Sequence, residues 1–177
     1  NVVSGFSRTD QSQLEDVSMA MIEAFAQEIE QEGATTRRVL ERVPADRLSW
    51  KPHPKSMSLG HLALHVAQTP GLIASWALKD VFEFGGPPPE PEAKSTAQIL
   101  AAHDESIKTA KDVLQKLGDA GLMKEWEAKA GGKTMMKMPK VALFRAVVLN
   151  HWIHHRGQLS VYLRLLDVPV PSIYGPS

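Results

Sequence analysis

The sequence predicts an all-α fold: a four-helix bundle with long crossover connections, built as a single domain over residues 1–177. Three observations predict it. Four stretches carry apolar residues at helical spacing, proline- and glycine-rich connectors separate them, and no internal repeat or second domain boundary interrupts the chain. Residues 1–12 precede the first stripe and read as a flexible leader.

The first helix is expected from Gln13 to Val43, with Ile22, Phe25, Ile29, Thr36, Leu40 and Val43 on one stripe. Gly33 weakens it in the middle. Pro44 ends it, and Trp50-Lys-Pro-His-Pro forms a rigid connector, because proline disfavours helix in itself and in the residue before it. Ser58 is a good N-cap for the second helix, which continues through Leu62, Val66, Ile73 and Trp76 with an expected kink at Pro70-Gly71. The linker from Phe84 through Pro87–Pro91 is too proline-rich for helix or inner strand. Ser95 should cap the third helix, whose stripe reads Leu100, His103, Ile107, Ala110, Leu114 and Leu117. Residues 118–138, with Gly121, Gly131, Gly132 and three methionines, read as an irregular crossover with room for a short strand pair. The fourth helix begins near Pro139, a residue tolerated in a first turn. Its stripe is Val141, Phe144, Val148, His151, His155, Leu159 and Tyr162, and an extended proline-containing tail follows.

Composition excludes several functions. Lys+Arg and Asp+Glu number 20 each, so the formal net charge is +0 and no basic patch marks a nucleic-acid partner. No apolar run approaches the ~20 residues of a membrane span, and the first ten residues do not read as a signal peptide. The chain has no cysteine. A cytoplasmic location is therefore expected, and any thiol chemistry must use a thiol brought in by a substrate.

The histidines carry the chemical signal. His61 and His65 lie four residues apart, as do His151 and His155, with His154 beside the latter. Residues four apart share a helix face, with Cβ atoms about 5–6 Å apart, and two imidazoles so placed can reach one ion at roughly 2.0–2.1 Å. Two such pairs suggest a site assembled from two helices. His151 and His155 fall on the apolar seam of the fourth helix, where an unpartnered ring would be costly. His65 lies nearer the stripe of its helix than His61, and His154 sits at the border of its own. His103 also falls on an apolar stripe, where a hydrogen-bonded core histidine is favoured over contact with the site. His53, between two prolines, reads as a surface residue. The residues between His151 and His155 include no glutamate, so the metalloprotease motif is absent. Three neutral histidines would leave an ion's charge uncompensated and a coordination position open, an arrangement that lowers the pKa of bound water or thiol.

Other residues invite mainly structural roles. Trp50, Trp76 and Trp152 read as core packing. Met135, Met136 and Met138 offer an adaptable apolar wall or simple gap-filling. Arg156 and Arg164 are solvated by default, with substrate carboxylate binding as the alternative. Gly157 inside a helix suggests close approach of another backbone.

The segments Trp50-Lys-Pro-His-Pro-Lys-Ser-Met-Ser-Leu-Gly-His-Leu-Ala-Leu-His-Val-Ala and His151-Trp-Ile-His-His-Arg-Gly-Gln-Leu-Ser-Val-Tyr-Leu-Arg, with the closing Val-Pro-Val-Pro-Ser-Ile-Tyr-Gly, resemble the DinB/YfiT-like superfamily of four-helix-bundle metalloenzymes. The similarity runs from about Phe25 to the end. The resemblance implies one metal ligand from the second helix and two from the last, which map to His65, His151 and His155; His61 falls where the family varies. Imidazole ligands suit a divalent metal, with zinc the first choice and nickel, iron or copper the alternatives. The activity the resemblance implies belongs to thiol-dependent transferases, although many members have no known substrate. The leading expectation is a metal-dependent transferase that activates a low-molecular-weight thiol for transfer to an electrophilic substrate. Metal-dependent hydrolysis is the second reading. A non-catalytic metal-binding stress or interaction module is the third, and a fourth ligand at His61 would mark it. Neither nucleic acid nor membrane is an expected partner, and a homodimer is.

Overall fold

The computed structural model describes residues 20–86 and 91–176. The expected leader, the start of the first helix at Gln13 and most of the Pro87–Pro91 connector lie outside the described residues. Helix α1 spans Met21–Leu40 and α2 spans Leu59–Trp76, with a 3₁₀ turn at Ala45–Arg47 between them. Strand β1 is Val81–Phe84, α3 is Thr96–Leu122, β2 is Glu125–Ala130 and β3 is Lys133–Pro139. The fourth helical rod follows without a break as α4 (Lys140–Ala142), a π-helical segment (Leu143–Leu149) and α5 (Asn150–Leu165).

Helix ends follow local chemistry. Ser58 and Ser95 accept from the backbone N–H groups of His61 (3.0 Å) and Gln98 (3.1 Å), as their side chains predict. Ser58 also donates to the Glu92 carboxylate, which holds the end of the proline-rich linker over the start of α2. The N-cap position of α1 is Ala20, which has no capping side chain. Asp119 from α3 takes that role, accepting from the N–H groups of Met21 (3.1 Å) and Ile22 (2.9 Å). Helix α2 runs through Pro70 to Trp76.

The fold is mostly helical but not all-α. The strand pair for which residues 118–138 had room forms as β2 and β3, and the unexpected β1, from between α2 and α3, completes a three-stranded sheet in the order β1-β2-β3. Strand β1 pairs parallel with β2 across the α3 connection, and β2 pairs antiparallel with β3. Gly131 (φ 55°) and Gly132 (φ 74°) make the hairpin turn, because both of its central residues need positive φ. Along β2, Trp126 and Ala128 turn inward, the period-two signature of a half-buried strand. The sheet docks on the C-terminal end of α2, where the Trp126 indole N–H donates to the Trp76 carbonyl (3.1 Å) and Phe82 stacks on Trp76.

Core packing also departs from two expected stripes. Helix α3 buries Ile99, His103, Ser106, Ala110, Val113 and Leu114, so Leu100 and Ile107 sit at the margin. Gly118 (φ 60°) then kinks that helix. On α5 the buried line is Trp152, Arg156, Leu159 and Leu163. His151 and His155 are therefore half-buried at its edge rather than on the core seam.

Candidate metal centre

Two helices build the histidine cluster. Helix α2 contributes His65, and α5 contributes His151 and His155 from consecutive turns. Tyr162 reaches Met57 while His65 meets His151, so the two helices run antiparallel along this seam. The π-helical segment precedes the cluster directly. Such segments insert an extra residue per turn and occur frequently at functional sites; in α5, after it, Trp152 enters the core and the histidines sit at the rim.

The three rings are close. Centroids lie 4.5 Å apart for His65 and His155, 4.4 Å for His151 and His155, and 5.4 Å for His65 and His151. One ligand atom from each lies within 4.8 Å of the others, and the Nε2 atoms of His65 and His151 are 3.2 Å apart. Tetrahedral coordination with zinc–nitrogen bonds of 2.0–2.1 Å puts ligand nitrogens about 3.3 Å apart, so this edge already matches a shared cation.

Electrostatics favours the neutral, metal-ready rings. Burial, followed by the charges of His155, His151 and His61, lowers the His65 pKa from 6.5 to about 4. His151 is lowered by burial and then by His155 and His154. His155 is lowered by burial, with its hydrogen bond to the Gln158 amide oxygen working the other way. Each ring thus resists protonation and keeps a lone pair available.

The remaining sequence candidates disperse. Among the described residues, no potential metal-holding group includes His61, His154, His103 or His53. His154 is exposed beside His155. His103 is buried in the core and bonded through Nε2 to the Gly33 carbonyl (3.0 Å). His53 is exposed, its Nδ1 accepting from the Lys55 N–H. Arg156 is neither solvated nor free for a substrate. It is 1% exposed, pairs with Glu32 at 2.5 Å and donates to Thr36 (3.1 Å) and Tyr174 (2.6 Å). Arg164 is exposed. An added Cβ at Gly157 would meet nothing within 4 Å, so no backbone approaches it. Met136 and Met138 pack at the sheet, whose docking point at Trp76 is eleven residues, or roughly 16 Å, along α2 from His65. Sequence reasoning gave Gln158 no role, although its i+3 spacing from His155 is a readable signal.

A family model, the DinB family, matches residues 14–177. The chain belongs to the DinB family. This DinB-family protein is 24% identical over 160 residues to the uncharacterized protein YrdA of Bacillus subtilis strain 168, covering 88% of this chain and 89% of that one. Its fold is similar to the crystal structure of a DinB-like protein from Bacillus cereus ATCC 10987, with a TM-score of 0.68, 25% identity, and 86% and 97% of the two chains covered. A DinB-like protein of Bacillus subtilis, YjoA, has a similar fold at a TM-score of 0.65 and 20% identity, covering 85% and 96%. No helix among the described residues of the DinB-family chain is long and apolar enough to cross a membrane.

Proposed function

We propose that this DinB-family chain is a metal-dependent enzyme in which His65, His151 and His155 hold one divalent ion, zinc first, to activate a low-molecular-weight thiol. The single observation that carries the reading is the convergence of three half-buried imidazoles, one ligand atom from each within 4.8 Å of the others. When bound, the cation supplies Lewis acidity that ionises a coordinated thiol or water. The chain's own part is to hold three uncharged nitrogens on two packed helices and to leave the cluster open on one side. The three-histidine group contains no carboxylate, so it offers no proton acceptor of its own to an attacking water. An incoming thiol loses its proton to solvent, its sulfur attacks an electrophilic carbon, and the leaving group departs with the bonding pair. The closed structural site of a non-catalytic module is disfavoured, because His61 stands outside the group.

Metal analysis of protein purified without a nickel column should find one divalent ion per chain. His151→Ala and His155→Ala should each abolish tight binding. In the cobalt form, cysteine, glutathione, coenzyme A, bacillithiol or mycothiol should produce a sulfur-to-cobalt charge-transfer band, with the thiol's apparent pKa well below the ~8.5 of free cysteine. No such band with any thiol, together with steady hydrolysis of an activated ester, would move the assignment to metal-water hydrolysis. We also infer a homodimer, supported by the exposed apolar pair Val161 and Leu165, which share one face of α5 at four-residue spacing.

A further inference from the structure

We infer that Gln158 is a positioning residue that fixes the His155 imidazole with its hydrogen on Nδ1 and its Nε2 lone pair free for the cation. The inference rests on the metal reading proposed above. Gln158 lies three residues beyond His155 on α5, so the two side chains share a face. The His155 Nδ1 meets the Gln158 Oε1 at 2.7 Å. An amide oxygen only accepts, so the ring nitrogen must donate. A neutral imidazole carries one ring hydrogen, and placing it on Nδ1 leaves Nε2 as the free donor atom. This is the same nitrogen through which His65 and His151 approach each other at 3.2 Å. The three Nε2 atoms then form one donor set.

Among the described residues, His155 is the one member of the cluster whose second nitrogen meets a side-chain oxygen. The exposed His154 ring also lies edge-on to it, 5.0 Å between centroids. Gln158 itself is exposed, so core packing does not account for its placement. Outer partners that hold a ligating histidine in one tautomer are commonly worth 10–100-fold in metal affinity.

Two measurements on the full chain test this. In the metal-free protein, long-range ¹H–¹⁵N correlations should show His155 with a protonated Nδ1 and a bare Nε2, and Gln158→Ala should shift the ring toward the opposite tautomer. In chelator competition, Gln158→Ala and Gln158→Leu should weaken zinc binding 10–100-fold, while Gln158→Glu, which keeps an acceptor at the same reach, should restore it to within a few-fold. A merely structural role would not separate Glu from Leu. Zinc binding at wild-type strength in all three variants, or a wild-type ring protonated on Nε2, would overturn the role of Gln158 and leave the metal reading standing. Absence of zinc binding by the wild-type chain would instead overturn the metal reading itself.

Discussion

His65 has the most strongly perturbed of the cluster pKa values, and it makes stability depend on pH in a defined direction. Its folded value of about 4 lies below the ordinary 6.5, so between those values the unfolded chain binds a proton that the folded chain refuses. Its contribution is fully present above pH 6.5 and is lost as the pH falls toward 4. His151 and His155 are lowered in the same direction. The thermal midpoint of the metal-free protein should therefore decline across this window, and His65→Gln should flatten the decline relative to wild type. A midpoint that rises as the pH is lowered from 6.5 to 4 would contradict the burial of the cluster. Zinc affinity should fall over the acid end of the same range, because protons compete for the same lone pairs.

Two glycines show why the same residue type carries different weight in different elements. At Gly71 in α2, an added Cβ would lie 2.7 Å from the Ser106 carbonyl oxygen and 2.9 Å from its Cα. The α2 and α3 backbones are in near-contact there, and the Ser106 hydroxyl accepts from the Gly71 N–H at 2.8 Å. Gly71→Ala should cost roughly 1–3 kcal/mol by forcing the helices apart. Gly157 in α5 has open space around it. Gly157→Ala should instead stabilise the protein by up to about 1 kcal/mol through helix propensity. Urea titration of both variants checks the pair, and the opposite signs are the prediction.

Across the whole molecule, Arg156 ties three distant parts together. It pairs with Glu32 on α1, donates to Thr36, and sits over the ring of Tyr174 in the C-terminal tail with its guanidinium carbon 5.1 Å from the centroid. The Tyr174 hydroxyl closes the network by donating to Glu32 at 2.7 Å. Arg156→Met removes one partner of a buried pair and should cost about 3–5 kcal/mol. Tyr174→Phe loses hydrogen bonds at a more exposed point and should cost about 1 kcal/mol. Thermal denaturation of both variants measures the order. Arg156 adjoins His155 in sequence, so the network also anchors the helix that carries two of the three cluster histidines. At the level of assembly, light scattering at micromolar concentration should find a species of about twice the 19.5 kDa chain mass; a species of 19.5 kDa alone would rule out the dimer.

Local chemistry in the sequence was enough to place the four helical stretches and the caps at Ser58 and Ser95, while the N-terminus of α1 needed Asp119 from α3. Ser58 and Ser95 start helices because a hydroxyl can satisfy free N–H groups wherever the chain turns, and four-residue spacing puts His151 and His155 on one face regardless of what packs against them. Tertiary structure decided the rest. The Trp126–Ala128 alternation and the Gly131-Gly132 turn to β3 are locally visible, but the second neighbour of β2 is β1, which arrives from the far side of α3. The position of His151 and His155 at the rim of α5 depends on which line of that helix packs inward, the one that buries Trp152 and Arg156. Arg156 reads as a surface residue until α1 and the tail bring Glu32 and Tyr174 to it. Spacing within one helix is set by covalent geometry, whereas the meeting of His65 with two residues 86 and 90 positions later exists only after the core has packed.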